Sequence, residues 1–410
     1  SIILSVSTSE ISTKGLKRLY DKEVKSAPSR SDYDSCLRIA AKDFIVKTPK
    51  GTEILSGYSW ESKGLRETLI SLPGLTLFDD GDVATFDKIL KTAVKIYSNQ
   101  LYNGSRQVEA ALWMFWVAQQ YAAFTGDAQA AWDKFKAILK KIADSFIEGG
   151  RMGVSLNKDN GMLWTKMNGV ALSWMNAYGS NSLPIAERGG YQVETNAYWY
   201  NALCFAIDME NKYGPKKSEF VERWSAVRDL VKENFQPTFW KPEWGYLVDY
   251  VGNGPLDQAV RPNMLIPAYL EYCPLDDEVI SEVVMTINDE LLTKRGLRSL
   301  SPRNEAYRGV YEGSQIDRDL AYHQGCAFPD LLAPYIDLCF RMMGSTFYGR
   351  AKYLVEGFFE DISKHGVGQF SELYDGDPPH EPHGAIASAM STAALLQIVH
   401  VMKQYKKEDK

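Results

Sequence analysis

The sequence predicts an all-α protein whose helices pair into six hairpins closed in a double ring, with small β-hairpins in the loops. Three observations predict it. Apolar residues recur at a period near 3.6 through about twelve segments, and strand-type alternation is confined to a few short stretches. Long insertions rich in Gly, Pro, Asn and aromatics fall between helices, and no homogeneous linker divides the chain. At 410 residues the chain can hold one large core or two ordinary ones. Residues 31–410 are expected to form one helical domain behind an extension over residues 1–30, with a two-domain helical protein as the competing organisation.

Each element follows from its own pattern. DYDSCLRIAAKDFIVK, at 32–47, places Cys36, Ile39, Ala40 and Phe44 on one stripe before Pro49-Lys50-Gly51. A shorter helix over about 64–72 is expected to stop at Pro73-Gly74, and the next, over 84–98, repeats Ala84, Ile89, Leu90, Ala93 and Ile96. Further helices are expected over 106–123, 127–148, 194–211, 214–234, 259–271, 276–291, 319–341, 347–362 and 384–404. RMGVSL at 151–156 and GYLVDYVG at 245–252 are the strand candidates. In a ring of helices, the insertions over about 150–190, 235–258 and 292–318 gather at one end and build its mouth.

Composition narrows the ligand. With 52 acidic against 46 basic side chains, the chain has no footprint for a nucleic-acid backbone, and a neutral substrate fits better. No run approaches a membrane span, and no targeting segment is visible, although an export signal preceding residue 1 stays open. The five Cys lack CxxC spacing and read as buried small hydrophobes in a reducing compartment. The 10 Trp, 23 Tyr and 17 Phe include many beside Gly, Asn, Asp and Glu, as a carbohydrate groove requires. Rings cover the C–H faces of a sugar while amides and carboxylates take its hydroxyls.

Four stretches carry the chemistry. VALSWMNAYG, at 170–179, sets Asn176 among aromatics, and FSELYDGDPPHEPHG, from Phe370, sets Glu372 before a turn-rich run. Glu372 could hold an attacking water or merely fix turns. YRGVYEGSQIDRDLAYHQG, from Tyr307, is dense in donors and acceptors that suit either hydroxyls or a salt-bridged surface loop. GGYQVETNAYWYNAL, from Gly189, puts Glu194 at the head of a helix, where it meets a sugar or caps backbone. His380 and His383 lack a third ligand at metal spacing, so no metal is expected. No cofactor is expected either, because acetal hydrolysis needs only an acid and a base.

Together, ILSGYSWESKGLRETLISLPGL, VEAALWMFW, VETNAYWYNAL, LDQAVRPN, NEAYRGVYEGSQIDRDLAYHQGCAFPDLLAPYI and FSELYDGDPPHEPHGAIASA run in order through nearly the whole chain. They resemble the glucosidase domain of glycogen debranching enzymes, the amylo-alpha-1,6-glucosidase family. The resemblance implies an (α/α)6 toroid, an oligosaccharide or polysaccharide partner, a cytoplasmic location, and inverting hydrolysis of α-glucosidic bonds at the mouth. It implies Glu372 as general base and places Asn176 where the family carries its general acid, an aspartate. An amide has no titratable proton to give. The expected sugar contacts are Trp60, Arg66, Glu67, Trp174, Glu194, Arg308, Asp317, Arg318, His323 and Gln324.

Other departures cluster near that site. Lys63, Gly64, Leu65 and Glu67 replace the family's Asp, Trp, Gly and second Asp, while Arg66 stays. Glu109 stands for Asp, and Ser388 and Met390 stand for Gln and Trp. Three readings follow: a divergent hydrolase that recruits another acid such as Glu194 or Glu61, a noncatalytic carbohydrate-binding relative, or a structural protein on an old ring. A recruited acid would need a pKa raised by burial or a like charge.

Overall fold

The computed structural model describes residue 12 and residues 14–26, 32–59 and 63–408, and it is mostly helical with a few small sheets. Helix α1 (Leu16–Ser26) buries no side chain. α2 (Tyr33–Asp43) begins at Asp32, whose carboxylate accepts the Ser35 N–H at 2.9 Å. It stops short of the expected residue 47, because the β-branched run Ile45-Val46 and Thr48 enters an antiparallel hairpin with Gly51–Ile54. α3 (Leu65–Thr76) and α4 (Val83–Ile96) follow, the latter capped by Asp82.

α5 (Ser98–Asn103) and a 3-10 turn, Val108–Ala111, lead into α6 (Trp113–Thr125) and α7 (Ala128–Ile147). Then come α8 (Val193–Tyr213), α9 (Glu219–Phe239), the short α10 (Leu265–Tyr269) and α11 (Asp277–Thr286). The expected helix over 319–341 is two: α12 (Gln315–Tyr322) and α13 (Leu332–Met343). Between them Gly325 takes φ +155°, where an added Cβ would lie 2.3 Å from the Arg308 carbonyl oxygen, and Pro329 supplies no N–H. α14 (Tyr348–Glu356), α15 (Asp361–Lys364) and α16 (Ala389–Glu408) complete the chain.

Six helices pack in a closed cycle: α3 on α6, α6 on α8, α8 on α10, α10 on α13, α13 on α16, and α16 back on α3. A second layer lies outside, with α4 on α3, α7 on α6, α9 on α8, α11 on α10, and α2 and α14 on α16. An inner helix has neighbours on every side, which is why α8 buries nearly its whole circumference, from Val193 to Ala206 without a break. Trp132, Trp199 and Trp224 are among the largest fully buried side chains, each contributing roughly 1.5–3 kcal/mol by leaving water.

Contrary to expectation, α3 does not stop at Pro73-Gly74. Pro73 lies in the last turn, where one N–H is forfeited, and its carbonyl still accepts the Leu77 N–H at 2.9 Å. Gly74 serves contact, since a Cβ there would lie 2.5 Å from the Ala393 carbonyl oxygen of α16.

The small sheets sit in the loops. Val154–Leu156 pairs with Leu163–Thr165, Trp240–Lys241 with Tyr246–Leu247, and Tyr191–Gln192 with Tyr250–Val251. A five-stranded antiparallel sheet, Leu292–Thr293, Gly296–Arg298, Ala327–Phe328, Leu373–Tyr374 and Pro382–His383, was not legible, because strands of two or three residues show no alternation. All five Cys are free, Cys36, Cys204, Cys326 and Cys339 buried and Cys273 partly so. Among the described residues no helix is long and apolar enough to cross a membrane.

Candidate active site

A cavity of about 340 Å³, within the usual range for small-ligand sites, opens among the heads of the inner helices. It brings together Arg66, Glu67, Trp174, Asn176, Glu194, His323 and Glu372, which the sequence singled out. Trp113, Trp116, Tyr198, Tyr269, Tyr322 and Phe328 add aromatic wall.

Glu372 precedes the Leu373 strand and is fixed on both sides: Tyr322 donates its hydroxyl to Oε1, and the Ala385 N–H donates to Oε2 at 2.8 Å. The backbone must pass close by to do so. At Gly384, φ is +70° and a Cβ would lie 2.5 Å from Glu372 Oε2.

Asn176 lies exposed at the end of a pinned loop. Trp174 donates its indole N–H to Asn263 Oδ1 at 2.7 Å, and Arg188 donates to Ser173 Oγ at 3.1 Å. Asn263 in turn donates to Asp249 at 2.7 Å. The pinning is therefore anchored in a buried ionic cluster.

Arg188 is the centre of that cluster. It meets both oxygens of Glu194, at 2.5 and 2.6 Å, and Asp249 at 2.5 Å. Burial and the Asp249 charge push the Glu194 carboxyl upward against the pull of Arg188. With both oxygens held by one guanidinium, Glu194 is turned to Arg188, which would have to give up a hydrogen bond for Glu194 to serve as an acid.

A second group of charges surrounds Arg66, which reaches Glu67 at 2.7 Å and Glu109 at 3.5 Å. Burial pushes the Glu109 carboxyl up to about 7, opposed by Arg66, and its Oε2 has no hydrogen-bond partner among the described residues. Asp330, in the turn before α13, is partly exposed and lines the cavity. Burial pushes it up to about 6, with the charge of Glu372 adding, against Arg66 and the backbone N–H groups of residues 330 and 331.

His323 is buried, with its ring edge-on to Trp174 at 5.1 Å and no hydrogen bond to either nitrogen among the described residues. Burial and the charges of Arg261, Arg66 and Arg188 push its pKa far down. A neutral imidazole offers one donor and one acceptor, a match for adjacent sugar hydroxyls.

Four expected contacts do not line the cavity. Arg308 is exposed and donates to its neighbour's carbonyl, at Tyr307. Asp317 closes a capping box with Ser314 at the head of α12, and Arg318 bonds Gly313 O and Gln315. Gln324 is buried and accepts from Arg261 at 2.6 Å. The charges of this stretch thus serve local capping and packing. Trp60 and Glu61 lie outside the described residues.

Sequence reading passed over Asp330, Tyr322, Arg188, Asp249 and Asn263 as site residues. Asp330 did carry a signal, as a carboxylate inside the apolar run AFPDLLAPY. Among the described residues no group of three or more His, Cys, Asp or Glu could hold a metal ion.

Two solved structures from Thermus thermophilus share the fold at 12% identity and a TM-score of 0.61, covering 88% of this chain and 99% of theirs: an uncharacterized conserved protein, and a GH63 mannosylglycerate hydrolase in complex with glucose. No curated protein matches by sequence. Residues 39–397 match the family model described as amylo-alpha-1,6-glucosidase, which spans both arms of the ionic cluster and every described cavity residue. The chain belongs to the amylo-alpha-1,6-glucosidase family.

Proposed function

We propose that the protein is a divergent inverting glycoside hydrolase acting on α-glucosidic oligosaccharides, of the 1,6 type or related, with Glu372 as general base. The closed helix cycle is read as an (α/α)6 toroid whose mouth is the cavity, and the location as cytoplasmic. One observation carries the reading: a cavity carboxylate, oriented by Tyr322 and the Ala385 N–H, faces aromatic walls. Such orientation suits a base that positions water against a sugar carbon. Arg66, Glu67, His323 and Trp174 are assigned to sugar contacts, and Glu194 to holding Arg188 and with it the 173–176 loop.

Asn176 favours a second reading, carbohydrate binding without hydrolysis. Inversion needs two carboxyl groups about 6.5–9.5 Å apart, one to protonate the glycosidic oxygen and one to activate water. Reducing-sugar release from a panel of α-linked oligosaccharides separates the two. Wild type is expected to hydrolyse at least one of them, and Glu372→Gln to lose about 10²–10⁴-fold in rate. Equal background release by both, with saturable sugar binding, would establish the binding reading.

A further inference from the structure

Hydrolysis at this site needs a proton donor. An alcohol leaving group needs a proton on the departing oxygen, and Asn176 has none to give. The cavity carboxyls differ in what they can offer. Glu194 is held by Arg188 through both oxygens, and Glu67 is paired to Arg66 at 2.7 Å. Glu109 keeps an unpartnered Oε2 among the described residues, but it is 1% exposed, deeper than the partly exposed Asp330, and its other oxygen points to Arg66. Glu372 is engaged as the base.

Asp330 stands apart. Among the described residues, no side chain bonds or pairs with its carboxyl, which meets only the backbone N–H groups at the start of its own turn. It is open to the same cavity as Glu372 and Asn176. Two residues earlier, the Phe328 ring lies edge-on to Trp174 at 5.5 Å and to Tyr322 at 5.5 Å. Trp174 belongs to the Asn176 loop, and Tyr322 is the hydroxyl partner of Glu372. The segment carrying Asp330 therefore packs against the loop that lacks an acid and against the hydroxyl partner of the base.

We infer that Asp330 is the general acid of this site, supplying the proton that Asn176 cannot. The inference rests on the hydrolytic reading. Asp330 passes its proton to the glycosidic oxygen as the C1–O bond breaks, and water adds to C1 while Glu372 takes the water's proton. Exchange with solvent then returns a proton to Asp330 and removes one from Glu372. Burial and the Glu372 charge keep a proton on Asp330 up to about pH 6, so kcat/KM on oligosaccharides falls as pH rises beyond that point.

Leaving groups test it. Fluoride departs without a proton, so α-glucosyl fluoride bypasses a general acid whereas an α-linked oligosaccharide does not. Asp330→Asn is expected to lower kcat/KM on the oligosaccharide by about 10²–10⁴-fold and on the fluoride by less than about tenfold. The alkaline limb near pH 6 should disappear with it. Glu372→Gln is expected to lose both substrates. If Asp330→Asn leaves oligosaccharide hydrolysis intact, or lowers both substrates equally with sugar binding unchanged, the assignment is overturned. Should that variant fail to fold, Asp330→Glu decides: a moved alkaline limb, or an oligosaccharide rate lowered more than the fluoride rate, supports the acid, and a wild-type limb with a wild-type ratio overturns it. Turnover of neither substrate by wild type sinks the hydrolytic reading itself, whereas full activity in Glu372→Gln removes Glu372 as the base.

Discussion

A single buried carboxyl shows how much one residue can ask of its surroundings. The Glu109 pKa rises from 4.5 to about 7, equivalent to roughly 3 kcal/mol in favour of the protonated form. Because the folded state binds this proton more tightly than the unfolded chain, the contribution is fully present below pH 4.5 and is lost as pH rises through about 7. The melting temperature is accordingly expected to fall between pH 5 and pH 8. In Glu109→Gln the fall should be smaller, measured by calorimetry at both pH values, and an equal fall in the two proteins would contradict the buried-charge account. At this scale the sequence was partly legible. It named Glu372, Asn176, Arg66, Glu67, Trp174, Glu194 and His323, all of which reach the cavity. Arg308, Asp317, Arg318 and Gln324 were named for the same reason, a density of polar groups, yet they satisfy caps and neighbours. Polarity in a loop does not say which way the loop faces.

Elements were legible where period was strong and ends were capped by a side chain. Asp82 and Asp127 each accept an N–H at 2.9 Å, and the helices they start match their expected starts closely. Local rules failed where a neighbouring helix overruled them. Gly74 reads as a stop signal, but it gives α16 room to approach α3. Gly74→Ala is expected to cost about 1–3 kcal/mol by overpacking against Ala393. Gly349, in α14 with nothing within 4 Å of an added Cβ, is the control. Gly349→Ala should stabilise by about 0.4–1 kcal/mol through the unfolded chain. Urea denaturation reads both, and a neutral Gly74→Ala would show that the interface has slack.

At the scale of the molecule, α16 closes the helix cycle by packing on α3 and α13, elements distant in sequence. Its Met390, Ala394 and Gln397 also line the cavity. Deleting residues 389–410 should therefore uncover the apolar faces of α3 and α13 and abolish cooperative thermal unfolding, detectable by circular dichroism and by rapid proteolysis. A sharp melt in the truncated chain would mean that the remaining helices form a self-sufficient core. The same closure explains the electrostatics of the site. Arg188 and Glu194 come from one stretch and Asp249 from another 61 residues from Arg188, and only their convergence in a medium from which water is excluded makes their charges matter.

The sequence by itself determined the helical class, because a 3.6-residue period states which face of each segment must be buried. Its ordered motifs determined the family, and they marked position 176 as an amide and position 372 as a carboxylate. Tertiary structure alone decided which carboxyls could keep a proton. Arg188 clasps one at 194, whereas the one at 330 lies in a shared cavity with no cationic side-chain bond among the described residues. Period specifies a face but not a neighbour. Protonation depends on the neighbour, through distance and the exclusion of water.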